Sequence, residues 1–446
     1  MGDWKIIHGV AIRRGNLMFM QRMIGALLAV VLCALTASGG YAEPAPAEAW
    51  QAAFVRGGEL WLKRSGADER QITKGGHVRA PKWSADGRFI AFAGGEDGTD
   101  ISVYALDSDR TFPVYSGGTF YEWAPDRNTL AFAIDTILNV AEVGPQGIQP
   151  FQNVTGGVGN YSWLQNGKGF LVSSLAELLP DGWSRVELFK VPVDAGMDPA
   201  KAKKLFTLPA QSDRFFAVGT SSFKWSPDGK WISFLAVPTA SLSADADTLC
   251  VLSADGKTFR TVATMIRRNE WQRWAPSQNL LGYIEGEGRF AIQNKRLQVK
   301  EFPVIRRVPY TPKGYADRDF VWENDRFIVV SRSKEAEWSN EPAARPLPAL
   351  TRVDIGSNET RQLSNPPARN GDFDPVYLPR SGKLAWVRTD REHASAWMAD
   401  AGSTGGTGAG AAGGFGKPVI EGLDVAASYY EAFNWEEVIA WYEPGR

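Results

Sequence analysis

Trp83-Ser84-Ala85-Asp86-Gly87-Arg88-Phe89-Ile90-Ala91-Phe92 returns in degraded copies almost to the end of the 446-residue chain. Aligning on its aromatic residue finds further copies at Trp123, Trp163, Trp225, Trp274, Trp322, Tyr377 and Phe433. The eight copies are spaced 40, 40, 62, 49, 48, 55 and 56 residues apart. A period of that size, with several short strands per unit, is the signature of propeller blades.

Each copy has the same mechanics. An aromatic residue ends one strand, a polar turn follows, and a second strand restarts. Pro227-Asp228-Gly229 is the clearest turn: proline presets φ, the Asp side chain bonds the backbone two residues on, and Gly supplies the positive φ of a tight hairpin. The strands that follow, Phe89 to Ala93, Leu130 to Ile134, Trp231 to Leu235 and Val438 to Tyr442, are apolar on both faces. A strand needs that pattern when sheets cover it on both sides, as they do in a blade wedged between two others. The repeated tryptophans therefore read as inter-blade packing rather than as a platform for a sugar or base. Ile101 to Leu106 and Thr111 to Tyr115 supply third and fourth strands, and the same order recurs down the chain, which predicts an all-β propeller of four-stranded blades.

The termini complete the ring. Ala52 to Arg56, Glu59 to Lys63 and Arg70 to Thr73 match second, third and fourth strands and lack a first, which Ser428 to Phe433 is expected to supply. Sharing one blade between the two termini removes exposed sheet edges. Eight blades result. Because Val438 to Tyr442 and Ala52 to Val55 both compete for the second-strand position, a seven-bladed ring with an appended strand pair is the alternative.

Ahead of the repeats, Arg13, Arg14 and Arg22 precede an apolar run from Met23 to Leu35 and then small residues to Ala42. Residues 1–42 read as a secretory signal peptide, 43–51 as a stiff linker and 52–446 as one propeller domain. The expected location is extracytoplasmic: secreted, periplasmic or associated with the cell envelope. Loss of Cys33 with the leader leaves Cys250 alone, so no internal disulfide is expected and Cys250 reads as core filler. The leader holds four of the 49 basic residues and one of the 50 acids, which leaves 45 against 49 in the mature chain. That balance offers no basic footprint for nucleic acid, and no membrane span is expected once the leader is gone.

The motif Trp-Ser-Pro-Asp-Gly-Lys followed by Ile-x-Phe, best kept at Trp225 to Phe234 and Trp83 to Phe92, resembles the TolB-like, WD-related β-propeller repeat across essentially the whole mature chain. For TolB proper the resemblance implies an α/β domain before a six-bladed propeller and a protein-binding role at the cell envelope. Here the repeats follow the leader directly and are more numerous, so TolB's own partners are not implied. The repeat also resembles the propeller of prolyl oligopeptidase-type enzymes, whose hydrolase domain requires Gly-x-Ser-x-Gly, and that motif does not occur in this sequence. Related lyases use several histidines on the propeller, whereas the mature chain has only His77 and His393.

No cofactor or metal site is read from the sequence. The acid-rich loops Glu96 to Asp100 and Asp245 to Asp247 lack calcium-loop spacing. Ala401 to Gly416, with eight glycines, lacks the residues of a phosphate loop and reads as a flexible connection between strands. In a four-stranded blade, loops between second and third strands and loops leading into first strands share one face. The insertions Ser174 to Arg185, Ala236 to Asp247, Arg332 to Leu347, Arg388 to Ser395, Pro209 to Ser222 and Ser364 to Asp372 all fall on that face, where binding concentrates on a rigid scaffold. The candidate ligand-binding residues are Trp183 beside Asp181, Trp338 with Arg345, and the two histidines, His393 and His77. The expectation is a monomeric, non-catalytic propeller that binds a protein, a peptide or a cell-envelope component. The alternative is a hydrolase or lyase with a carboxylate-based, metal-assisted site at the channel mouth.

Overall fold

The computed structural model describes residues 50–239, 242–304, 307–402 and 415–445. The expected leader, the linker up to residue 49 and most of the glycine-rich segment lie outside the described residues. Packing begins at Trp50, and the first strand opens at Gln51.

Eight antiparallel sheets form an eight-bladed propeller. Blade 2 shows the pattern: Arg79–Trp83, Phe89–Gly94, Asp100–Ala105 and Arg110–Ser116 follow one another from the inner to the outer strand. Its second strand is buried at all six positions, as a strand apolar on both faces must be. The inner strands of blades 3 to 8 are Thr119–Trp123, Asn160–Trp163, Gly219–Thr220 with Lys224–Trp225, Gln272–Trp274, Tyr315–Trp322 and Gly371–Leu378.

Blade 1 is shared by the two ends of the chain, but not through the expected segment. Its inner strand is Ile439–Tyr442, which pairs with Gln51–Arg56. Ser428 to Phe433 instead forms a separate hairpin, Ser428–Tyr429 with Ala432–Phe433. The aromatic repeat position in this blade is therefore Trp441 rather than Phe433. That assignment removes the competition for the second-strand position, and with it the seven-bladed alternative.

In five blades the repeated tryptophan joins the blade to the one before it. Its indole N–H donates to the backbone carbonyl of the residue that precedes the tryptophan of the previous blade. Trp83 reaches Ala440 at 3.0 Å, Trp123 reaches Lys82 at 2.9 Å, Trp163 reaches Glu122 at 3.2 Å, Trp274 reaches Lys224 at 3.1 Å and Trp322 reaches Arg273 at 3.1 Å. The bond from Trp83 crosses the junction between the chain ends, and Trp83 also stacks on Tyr442 with ring centroids 5.2 Å apart.

The Ser and Asp of the motif lock the turn. Ser226 Oγ donates to Asp228 Oδ1 at 2.7 Å and accepts from the Trp231 N–H at 3.0 Å, while Asp228 Oδ1 takes the Lys230 N–H at 3.0 Å. The other carboxylate oxygen accepts from Asn279 of the next blade at 2.9 Å. Asp86 makes the corresponding bonds with Ser84, Arg88 and Asn128. Burial alone would raise the pKa of Asp228, but the bonds from Asn279, Lys230 and Ser226 outweigh it and hold the group at about 2.

Four inner strands carry a bulge three residues before the aromatic. Ala80, Phe120, Asp319 and Asp374 occupy positive φ there, at 52°, 52°, 42° and 45°, beside register shifts in blades 2, 3, 7 and 8. A bulge bends the strand and re-aims its side chains. In blades 7 and 8 the residue so placed is an aspartate.

Candidate functional site

The segments picked from the sequence do share one face. They connect second to third strands, or lead into inner strands, at one end of the ring. Two further segments join them that sequence reasoning did not select: 286–295 of blade 6 and 424–438, which leads into the last strand.

Trp338 and Arg345 are brought together. The Arg345 guanidinium lies 4.5 Å from the Trp338 ring centroid. Trp338 stacks on Phe290 at 4.8 Å and meets Tyr430 edge-on at 5.0 Å. This ring cluster pins the Ser428 to Phe433 hairpin to blades 6 and 7. The hairpin turns at Tyr430 and Glu431, both at positive φ, 49° and 72°, a two-residue turn usually made by Asn-Gly. Glu431 offsets the strain. It is 3% exposed, and its carboxylate accepts from Arg345 at 2.9 Å and from two nitrogens of Arg391 at 2.9 and 3.0 Å. Arg318, fully buried, donates to the Glu431 carbonyl at 3.3 Å.

Between this hairpin and the loops of blades 7 and 8 runs a groove of about 1010 Å³. Arg345, Arg391 and Glu431 lie in it, with Pro346, Pro366 and Pro367 among its walls. Elsewhere in blades 7 and 8, Arg332 forks onto Asp317 at 2.6 and 2.7 Å, and Arg388 onto Asp372 at 2.7 and 2.9 Å. All four residues of these two pairs are buried. The Asp372 N–H also donates to the Pro348 carbonyl at 2.9 Å, which ties the second pair to the groove wall at Leu347 and Ala349.

The other candidates are placed apart. Trp183 and Asp181 sit on a separate small hairpin of blade 4, Leu178–Leu179 with Gly182–Trp183, whose Leu178 is exposed. His77 is exposed in the loop leading into blade 2. His393 is exposed on the loop beside the groove, with its Nδ1 3.1 Å from Asp390 Oδ2. Of the acid-rich loops, Asp245 is engaged by Arg289 at 2.7 Å.

A second site lies on the axis. The residue immediately before the aromatic is Lys82, Glu122, Ser162, Lys224 and Arg273 in blades 2 to 6, and these side chains line two axial cavities. The larger, about 500 Å³, reaches the turn face at Pro125 and Gln165. The smaller, about 190 Å³, lies among Arg268, Arg273, Asp319, Asp374 and Trp435, and Glu270 and Glu436 border both. Glu436 comes from the single turn of 3-10 helix Trp435–Glu437, just before the final strand. Its side chain stands at the border of the two cavities.

Titration at the axis is displaced. Burial raises Glu122 to about 7, against the pull of Lys82. Burial lowers Lys224 to about 7, helped by the neighbouring charge of Arg273. Burial and then the like charge of Asp319 raise Asp374 to about 7. Glu436 is raised by burial and then by Glu270, and Asp319 by burial. Cavities that gather carboxylates and amines displaced in this way are candidate sites of binding or proton transfer. No group of three or more His, Cys, Asp or Glu side chains arranged to hold a metal ion is found among the described residues.

Sequence reasoning missed the axis although the signal was present. The position before the aromatic holds Lys, Glu, Lys or Arg in four of eight copies.

No protein-family model matches the chain, and no curated protein matches it. Among solved structures, oligogalacturonate lyase in complex with manganese is 12% identical over 77% of this chain and 95% of its own, with a TM-score of 0.47. A puromycin hydrolase S511A mutant is 14% identical over 77% of this chain, with a TM-score of 0.44. This chain spans about half of its length, 53%. TolB from Acinetobacter baumannii is 15% identical over 57% of this chain and 61% of its own, with a TM-score of 0.35. These are likenesses of the propeller at low identity, to a lyase, a hydrolase and TolB alike, and none brings an activity to this chain.

Proposed function

We propose that the protein is an exported binding propeller that holds a protein or peptide partner on its long-loop face, in the groove between blades 7 and 8 and the Ser428 to Phe433 hairpin. The observation that carries the reading is the groove itself. Its volume of about 1010 Å³ suits an extended segment, and its wall at Leu347 and Ala349 is tied through the Pro348 carbonyl to Asp372, which takes the buried Arg388 fork. Rigid walls lower the ordering cost of binding. Arg369, exposed on the rim, and Arg391 give the groove charged groups for orienting a partner.

The test is capture of a partner from envelope extracts by wild type, by Ala368→Arg/Arg369→Glu on the groove rim, and by Lys230→Glu on the turn face. The reading expects the rim variant to lose the partner and the turn-face variant to keep it. Equal capture by all three would remove the groove as the site. Export is tested separately: the extracellular or periplasmic form should begin near Glu43.

A further inference from the structure

The smaller axial cavity combines unspent donors with unspent acceptors. Arg273 uses its Nε on the Glu270 carbonyl at 3.1 Å, and its terminal nitrogens have no partner among the described residues. The indole N–H of Trp435 is buried without a partner among the described residues, although the side chain is only 2% exposed. A buried orphan donor of this kind calls for an acceptor inside the cavity. Opposite in sign, the Asp374 carboxylate takes no hydrogen bond from the described residues, and Glu436 meets only the fields of neighbouring charges. Asp319 is anchored by the Trp271 indole N–H at 2.7 Å and leaves its second oxygen with one long contact, 3.4 Å, from the Asp374 N–H. The bulges that place Asp319 and Asp374, shared by blades 2 and 3 at Ala80 and Phe120, re-aim the two aspartates from their strands.

We propose that this cavity binds a small zwitterion of the α-amino-acid type, with its carboxylate on Arg273 and the Trp435 N–H and its ammonium on Asp374 and Glu436. A plain anion would meet four carboxylates, and a plain cation would meet Arg268 and Arg273. A ligand carrying both charges satisfies both walls. About 190 Å³ accommodates the amino-acid head, and the border at Glu270 and Glu436 leads to the larger cavity, where Lys82 and Lys224 face a ligand side chain. This site is separate from the groove, and neither reading depends on the other.

The experiment is a thermal-shift and calorimetric screen of the full chain against the free amino acids at millimolar concentration. The best binder is then compared with its N-acetyl and methyl-ester forms. The expected result is saturable binding of a free amino acid, weakened roughly tenfold or more by either cap and in Asp374→Asn and Arg273→Gln. Should a variant fail to fold, the capped ligands decide alone. Binding of no amino acid, or binding indifferent to both caps, would overturn the proposal and leave the cavity to water.

Discussion

Neighbouring positions on the inner strands do opposite work. The repeated tryptophan faces the preceding blade and spends its N–H on a backbone carbonyl, as Trp274 does on Lys224. The residue just before it offers that carbonyl to the ring while its side chain faces the axis, as Lys82, Glu122, Lys224 and Arg273 do. Because the ring needs only a backbone group from this position, any side chain satisfies the packing. The repeated aromatic position is thus structural, whereas the position before it varies from blade to blade. The difference shows where a repeat protein can build a site without disturbing its frame.

Removing the joint of the ring should have the largest effect. A chain ending at Val438 loses the inner strand of blade 1, four paired positions and the Trp50–Trp441 contact at 5.4 Å. It should lose on the order of 5 kcal/mol or fail to fold cooperatively, as read by denaturant unfolding. Next comes the pair tied to the groove wall. Asp372→Ala strands the buried Arg388 and the Trp386 indole N–H, whose bond to Asp372 is 3.0 Å long. A loss of roughly 3–5 kcal/mol is expected; a loss below about 1 kcal/mol would mean that the groove is not rigid there.

The axis should respond to pH rather than to packing. Asp374 is raised to about 7 in the folded protein, above its unfolded range, so the folded state holds the extra proton. Its contribution is present in acid and is lost as pH rises through about 7. Asp374→Asn should therefore flatten the stability profile between about pH 4 and 7 and raise the unfolding midpoint above that of wild type at alkaline pH. A lower midpoint there would contradict a charge strained by burial. The smallest effect belongs to Asp181→Ala on the separate blade 4 hairpin, expected within about 0.5 kcal/mol of wild type with groove capture unchanged. Lost capture would move the binding surface to Trp183 and its neighbours.

The blade number and the strand order within blades were legible because period, turn chemistry and two-faced apolar strands all report local packing. The closure was misread at one segment. Ser428 to Phe433 has the alternation of a strand, but its turn at Tyr430-Glu431 carries no glycine or asparagine to announce a hairpin. The turn is held instead by Arg345 and Arg391, 86 and 40 residues away. Long-range ion pairs of this kind leave no local trace. Trp338 was legible as an unusual loop residue, but its role in holding the hairpin depends on Phe290 and Tyr430, which only the fold brings to it. The axial cavities are assembled from single residues of several blades and leave only the alternation of charge before the aromatic.

Arg273 and Trp274 are adjacent, so they allow the division of labour to be tested on one strand. Denaturant unfolding of Arg273→Gln and Trp274→Ala in parallel should show roughly 2–3 kcal/mol lost for the half-buried tryptophan and less than about 1 kcal/mol for the arginine. Equal losses, or a larger loss at Arg273, would contradict the assignment of packing to the repeated position and ligand contact to its neighbour.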